Sequence, residues 1–266
     1  MANSGDFKWL RAGGIAALVR EGKGGTIVIV PGGMADAQGW LPVATALQTS
    51  LSIAIVNRRG RAPSDDLPPG STVADEVRDV RALMSKLSGP FVVFGWSHGG
   101  LLAMEAAIGR SDIDAIILYE PVCRPFVSSA IDPIQRAVEA GDLDQAVTEV
   151  VTKVGGASSQ QMAELRATPA WEYLKPLVVR AATELTALNQ HEPDFAGYGA
   201  IKVPVSILIG SLNLDQEPYG EATNRFCKAL PQADQIILAD QGHLAHAEAP
   251  NQLAAVVSEV LAAKLP

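Results

Sequence analysis

The chain is predicted to fold as an α/β architecture built on a mostly parallel sheet, and three observations predict it. Short runs of β-branched and aliphatic residues recur along the sequence, and amphipathic helical segments lie between them. One apolar run, residues 91–94, leads through Gly95-Trp96-Ser97-His98-Gly99 into the helical pattern LLAMEAAIG. Several runs are continuously apolar, as required of strands covered by helices on both faces.

Taken in order, residues 15–19, 26–30, 52–56, 91–94, 115–119, 205–209 and 235–238 read as short buried strands. Between them, residues 72–87 place Val73, Val77, Val80, Met84 and Leu87 at helical spacing, and residues 251–265 do the same with Leu253, Val257, Val260 and Leu261. One stretch breaks the alternation. From about Arg124 to Tyr198 the pattern is helical only, near 133–140, 143–154, 159–167 and 173–188, with interruptions at Gly155-Gly156 and Pro169. An insertion with its own apolar periodicity reads as a cap over residues 124–198, set into a core of residues 1–123 and 199–266.

The 266 residues suit one large domain or a domain with an insertion, and 48% apolar with 19% charged residues allows a substantial core. A net charge of −8 disfavours nucleic acid and anionic membranes, and Arg58-Arg59-Gly60-Arg61 is too short a basic run to offset it. Neutral small molecules are the expected partners. No apolar run reaches the roughly 18 residues that span a bilayer. The opening MANSGDFKWLRAGG lacks the basic-then-apolar layout of a signal peptide, so a cytoplasmic location is expected. Cys123 and Cys227 lack metal-ligand spacing and imply neither a zinc site nor a disulfide. No glycine-rich turn has the Gly-x-Gly-x-x-Gly or phosphate-loop pattern, so no metal and no cofactor is expected.

The pentapeptide around Ser97 carries the chemistry. A serine on a sharp strand-to-helix turn is held in strained backbone geometry that exposes its hydroxyl, and flanking glycines let neighbouring backbone pass. That hydroxyl is a poor nucleophile unaided; it needs a base within hydrogen-bond reach and an acid that orients the base. The candidate bases are His98, His191, His243 and His246. His98 adjoins Ser97, so its useful atom is the backbone N–H, and His191 falls in the helical stretch. His243, in ADQGHLAH after the last strand, is the expected base, with His246 as its rival.

These segments together resemble the α/β-hydrolase superfamily: an early hairpin, then IVIVPGG, IVNRRGRAPS, FGWSHGG, ILYEP, a helical stretch, ILIG and GH. The resemblance implies the α/β-hydrolase fold, an eight-stranded sheet with its second strand antiparallel and a cap inserted after strand six. In most relatives an aspartate follows strand seven, but Gly210-Ser211-Leu212-Asn213 places Asn213 there. Asp215 could replace it if the loop shifted. Glu120, in IILYEP at the end of strand six, is the expected acid, because that strand neighbours the nucleophile strand in the family's order. A lactonase branch that hydrolyses zearalenone carries its acid after strand six, with spacings similar to 97, 120 and 243. A carboxylate that only pins the turn by accepting backbone N–H groups is the plainer alternative.

The same resemblance assigns half of an oxyanion hole to the loop Pro31-Gly32-Gly33-Met34, through Gly33 or, with a shifted register, Met34. The His98 N–H supplies the other half, and Pro31 stands where relatives often have histidine. Arg58, Arg59 and Arg61 are expected to anchor backbone carbonyls or surface carboxylates. Trp96, Trp171, Tyr173 and Tyr198 are candidates to line an apolar pocket. The implied activity is cofactor-independent hydrolysis of a small-molecule ester or lactone by Ser97, His243 and Glu120. The alternative is a non-hydrolytic lyase or cyclase with His243 as general acid and base.

Overall fold

A computed structural model describes residues 6–265. The first five residues of the N-terminal stretch read above, and Pro266 at the end of the second core segment, lie outside the described residues. Eight strands form one sheet: β1 (Lys8–Ala12), β2 (Ile15–Arg20), β3 (Thr26–Val30), β4 (Ser52–Asn57), β5 (Phe91–Trp96), β6 (Ile113–Tyr119), β7 (Val205–Gly210) and β8 (Asp234–Leu238). Their order is β1-β2-β4-β3-β5-β6-β7-β8. As expected, β2 runs antiparallel to both of its neighbours, and the pairs from β4 to β8 are parallel.

Alternation along the central strands explains the two-sided core. Ile27 and Ile29 of β3 join Phe94 of β5 on one face, whereas Val28, Val30 and Val93 point to the other. The first face is covered by α1 (Leu41–Ala46) and α12 (Pro250–Lys264), which supply Val43, Leu253 and Val257. The second is covered by α2 (Val73–Met84) and α3 (His98–Ala107), which supply Val80, Leu101 and Leu102. Thr72 starts α2 with a reciprocal cap: its hydroxyl accepts the Asp75 N–H, and the Asp75 carboxylate accepts the Thr72 N–H.

Between β6 and β7 the chain is helical: α4 (Ile131–Glu139), α5 (Leu143–Glu149), α6 (Ser159–Arg166), α7 (Pro169–Val178), α8 (Ala181–Gln190) and α9 (Phe195–Gly199). Two expected helices divide. The segment 143–154 widens after Glu149 into a π turn, Val150–Val154. The segment 173–188 divides between α7, which holds Pro176 within its last turn, and α8, the chain turning at Val179 and Arg180. Pro169 opens α7 rather than interrupting a helix, its missing N–H costing nothing in a first turn. These helices share their own apolar cluster, including Ile134, Val147, Trp171 and Val178. The remaining helices are α10 (Tyr219–Ala229) and the short α11 (Ala245–Glu248). Among the described residues, no helix is long and apolar enough to cross a membrane.

Candidate active site

Parallel strands deliver the loops after β3, β5, β6 and β8 to one edge of the sheet, where ligands of open α/β sheets bind. Ser97, directly after β5, has φ 57° and ψ −126°, a left-handed conformation that costs energy in any residue with a side chain. Three backbone bonds hold it there. Its N–H donates to the Tyr119 carbonyl at 3.0 Å, and its own carbonyl accepts from Gly100 at 2.9 Å and Val122 at 3.3 Å. A β-carbon on Gly99 would collide with the Val30 carbonyl oxygen, so the glycine after the serine is required by close backbone approach.

Glu120 follows β6 in a second left-handed conformation, with φ 42°, and is fully buried. Its Oε1 accepts the Gly210 N–H at 2.9 Å, and its Oε2 lies 2.7 Å from His243 Nδ1. Asn213, at the position where relatives carry aspartate, donates its side-chain N–H to the same Oε2 at 2.9 Å. Glu120 thus accepts a backbone N–H, as in the plainer alternative, and reaches the histidine as well. Asp215 stays apart: it is exposed, and its nearest polar side chain is Asn224 at 3.5 Å.

His243 is walled by aromatic rings. Tyr219 stacks on it at 3.6 Å between centroids, and Trp96 tilts against it at 4.8 Å. The Trp96 indole donates to the His243 carbonyl at 2.9 Å, and the Tyr119 hydroxyl donates to the Gly242 carbonyl. Burial, then the neighbouring Glu120, push the Tyr219 hydroxyl above its ordinary pKa, so it remains a neutral wall.

A cavity of about 340 Å³ opens over this cluster. Gly33, Met34, Trp96, Ser97, His98 and His243 border it from the sheet side; Phe126, Val150, Leu165, Tyr173 and Leu185 border it from the helical side. A β-carbon on Gly32 would stand 2.7 Å from Ser97 Cβ, so the loop after β3 passes directly against the nucleophile candidate. Met34 has φ 55°, and the His98 N–H, first in α3, has no intrahelical acceptor. The expectation for Trp171 is corrected. It is buried among the inserted helices, its indole donates to Asp144 at 2.6 Å, and the Arg166 guanidinium covers its ring. Tyr198 is likewise turned away, donating to Glu105 at 2.6 Å. Tyr173 does border the cavity and donates to Asp36 at 2.5 Å. A larger depression, about 1100 Å³, lies near Arg20, Leu41 and Asn251 and contains no histidine. Among the described residues, no cluster of three or more His, Cys, Asp or Glu side chains could hold a metal ion.

The sequence profile of the Alpha/beta hydrolase family matches residues 27–256. The chain belongs to that family. An alpha/beta hydrolase from Sphaerobacter thermophilus is similar at 23% identity and TM-score 0.79, over 95% of this chain and 99% of that one. A thermophilic esterase from Thermogutta terrifontis gives 21% and 0.71, over 98% and 99%. An enol-lactonase from Burkholderia xenovorans gives 18% and 0.75, over 96% and 100%. At these identities the likeness is one of fold. No curated protein matches the sequence.

This α/β hydrolase buries a charged group beneath its cavity that sequence reasoning missed. Arg58 and Arg61 are nearly inaccessible and do anchor backbone carbonyls, those of Gly32 and Ala35, but the carboxylates they bind, Glu76 and Glu184, are buried rather than at the surface; Arg59 takes the mostly buried Asp79. Glu184 left one signal, a carboxylate on the helix face that also carries Ala181 and Leu188. Tyr219 left none.

Two histidines of the hydrolase are buried and neutral. His246 lies between Trp40, at 4.9 Å, and Trp96, at 4.1 Å, and its Nδ1 has no partner among the described residues. Burial, then His243, lower it to about 3; burial, with Arg58 adding to it against Glu76, lowers His98 to about 4. Below about pH 6.5 an unfolded chain protonates these rings while the folded one does not, so folding stability falls as pH drops from 6.5 toward 4. Each ring contributes a slope of about 1.4 kcal/mol per pH unit. His246→Phe keeps the stacking and is expected to flatten the profile by that amount, measured by urea unfolding between pH 7.5 and 4.5.

Proposed function

We propose that this hydrolase cleaves a neutral small-molecule ester or lactone through an acyl-enzyme on Ser97. The observation that carries the reading is the 2.7 Å contact between Glu120 Oε2 and Nδ1 of His243, a histidine that lines the same cavity as Ser97. With Nδ1 engaged by the carboxylate, the ring's Nε2 is the nitrogen left for the serine. Ser97 Oγ bonds to the substrate carbonyl carbon as its proton passes to His243. The carbonyl oxygen becomes an oxyanion, received by the N–H groups of Gly33 or Met34 and His98. Collapse breaks the bond to the alcohol, which takes the proton back from His243; in a lactone that alcohol stays tethered to the acyl group. Water then adds to the acyl carbon, giving a proton to His243, and Ser97 leaves with it. Glu120 orients the ring and stabilises its transient positive charge.

The cavity supports an apolar substrate. Its helical wall is mostly apolar, aliphatic side chains with Phe126 and Tyr173, and the carboxylate at its border, Glu184, is already neutralised by Arg58 and Arg61. In this reading residues 124–198 act as the cap that selects substrates, and esters and lactones are the class shared with the esterase and enol-lactonase noted above. A fluorophosphonate probe is expected to label wild-type protein at Ser97, by peptide mass spectrometry, and to leave Ser97→Ala unlabelled. Folded wild-type protein that stays unlabelled would turn the reading toward general acid–base chemistry at His243.

A further inference from the structure

The serine, histidine and glutamate leave two buried carboxylates, Glu76 and Glu184, without a role. Glu184 projects from α8, in the helical insertion, onto the turn that follows β4. Arg61 Nη1 donates to its Oε1 and Nη2 to its Oε2 at 3.2 Å, while Arg58 Nη2 stands 3.2 Å from Oε2. The same two guanidinium groups grip the loop after β3: Arg58 Nη2 also donates to the Gly32 carbonyl at 2.7 Å, and Arg61 Nε donates to the Ala35 carbonyl at 2.7 Å. Those carbonyls flank Gly33 and Met34. A β-carbon on Gly33 would lie 3.6 Å from Glu184 Oε2, so the carboxylate backs directly onto the loop. Although burial alone would raise it, Arg58 and then Arg61 hold the Glu184 carboxyl below the ordinary carboxylate range, and the group stays charged.

Stability does not require this arrangement. Burying ions is costly, and apolar side chains of similar volume commonly serve a core as well. Charged forks give direction instead. A guanidinium is planar and its donors point in set directions, so a carbonyl it binds is fixed in orientation. A peptide unit is also planar and trans, which couples the Gly32 carbonyl to the Gly33 N–H on the opposite side. Holding the first aims the second.

We infer that Glu184 is a positioning residue for acyl transfer: from the helical insertion it sets the Arg58 and Arg61 forks, whose grip on Gly32 and Ala35 aims the loop's N–H groups at the oxyanion. The inference rests on the acyl-transfer reading above. Removing the charge in Glu184→Gln is expected to lower kcat on an activated ester by roughly 10- to 100-fold, the scale of a misplacement near 1 Å, with KM within about threefold. A trifluoromethyl ketone, which Ser97 converts to a tetrahedral oxyanion, should lose affinity in parallel, and Glu184→Asp should recover part of both. If Glu184→Gln shifts only KM or the melting temperature, with kcat and ketone affinity within about twofold of wild type, the residue is structural and the inference fails. Should that variant not fold, Arg61→Met with Glu184→Met removes one charge of each sign, and the same two outcomes decide. Wild-type protein that neither takes up fluorophosphonate nor binds the ketone would instead overturn the acyl-transfer reading itself, a result distinct from equal behaviour of wild type and variant.

Discussion

Glu120→Gln is expected to lower kcat for ester hydrolysis by roughly 10³- to 10⁴-fold without unfolding the protein, the loss typical when a triad acid becomes an amide. Glutamine preserves shape and can still accept the Gly210 N–H. Its second terminal atom, however, becomes an amide nitrogen facing two donors, Asn213 Nδ2 at 2.9 Å and His243 Nδ1 at 2.7 Å. The imidazole must then present the wrong tautomer to Ser97, and its positive charge in the transition state loses its partner. Asp215→Asn should change kcat by less than about twofold, because that exposed carboxylate has no contact with the ring. A sharper comparison uses Asn213. Asn213→Asp alone sets a second carboxylate against Glu120, forcing one of them to hold a proton, and activity should fall. Combined with Glu120→Gln it returns a carboxylate to the loop after β7, and the pair should recover at least about tenfold over Glu120→Gln. Steady-state kinetics with circular dichroism would decide, and a larger loss from Asp215→Asn than from Glu120→Gln would move the acid to the β7 loop.

Arg58→Met is expected to produce the largest loss of stability, about 3–5 kcal/mol, or on the order of 10 °C in melting temperature. Arg58 is 2% exposed and serves Glu76 at 2.5 Å, Glu184 at 3.2 Å and the Gly32 carbonyl at 2.7 Å. Without it Glu76 remains in the interior, with His98 Nε2 at 3.5 Å as its other ionisable neighbour among the described residues. Arg78 provides the control. It pairs with Asp75 on the open face of α2, and Arg78→Met should cost less than about 1 kcal/mol, because solvent screens that pair. Urea unfolding of the two variants would show the contrast, and equal losses would mean that burial of the Arg58 pair carries no special cost.

The parts of this site that could be read from residues alone are those set by local patterns. The turn at Ser97 is one, since strand, glycines and helix start all lie within ten residues, and steric necessity at Gly99 leaves few alternatives. Strands β2 to β8 were legible for the same reason, as apolar runs have few other places to go, whereas β1, Lys8–Ala12, carries no such run. Glu120 and His243 are 123 positions apart, so their approach depends on β6 and the loop after β8 opening at the same sheet edge, which only the family's strand order could suggest. The helical insertion was legible as helices but not as a surface. Periodicity names the buried face of α7 without naming what that face meets, which is why Trp171 was expected at the cavity and lies instead against Arg166 and Asp144. Arg58 and Arg61 show the same limit from the core side: two charges in a loop sequence carry no mark of burial, and their partners sit in α2 and α8.

The π turn at Val150–Val154 sets how this cavity can change over generations. Val150, Val151 and Val154 all lie in this turn and border the cavity. A π turn is an α-helical turn with one residue added. Deleting a single codon within it is expected to restore regular winding and take one residue out of the turn, while α5 before it keeps its phase. The cavity wall would lose a residue of this turn, while Ser97, Glu120 and His243 are carried by loops at the sheet edge and are expected to stay in place. One in-frame deletion is therefore expected to alter the cavity wall without touching the residues at the sheet edge.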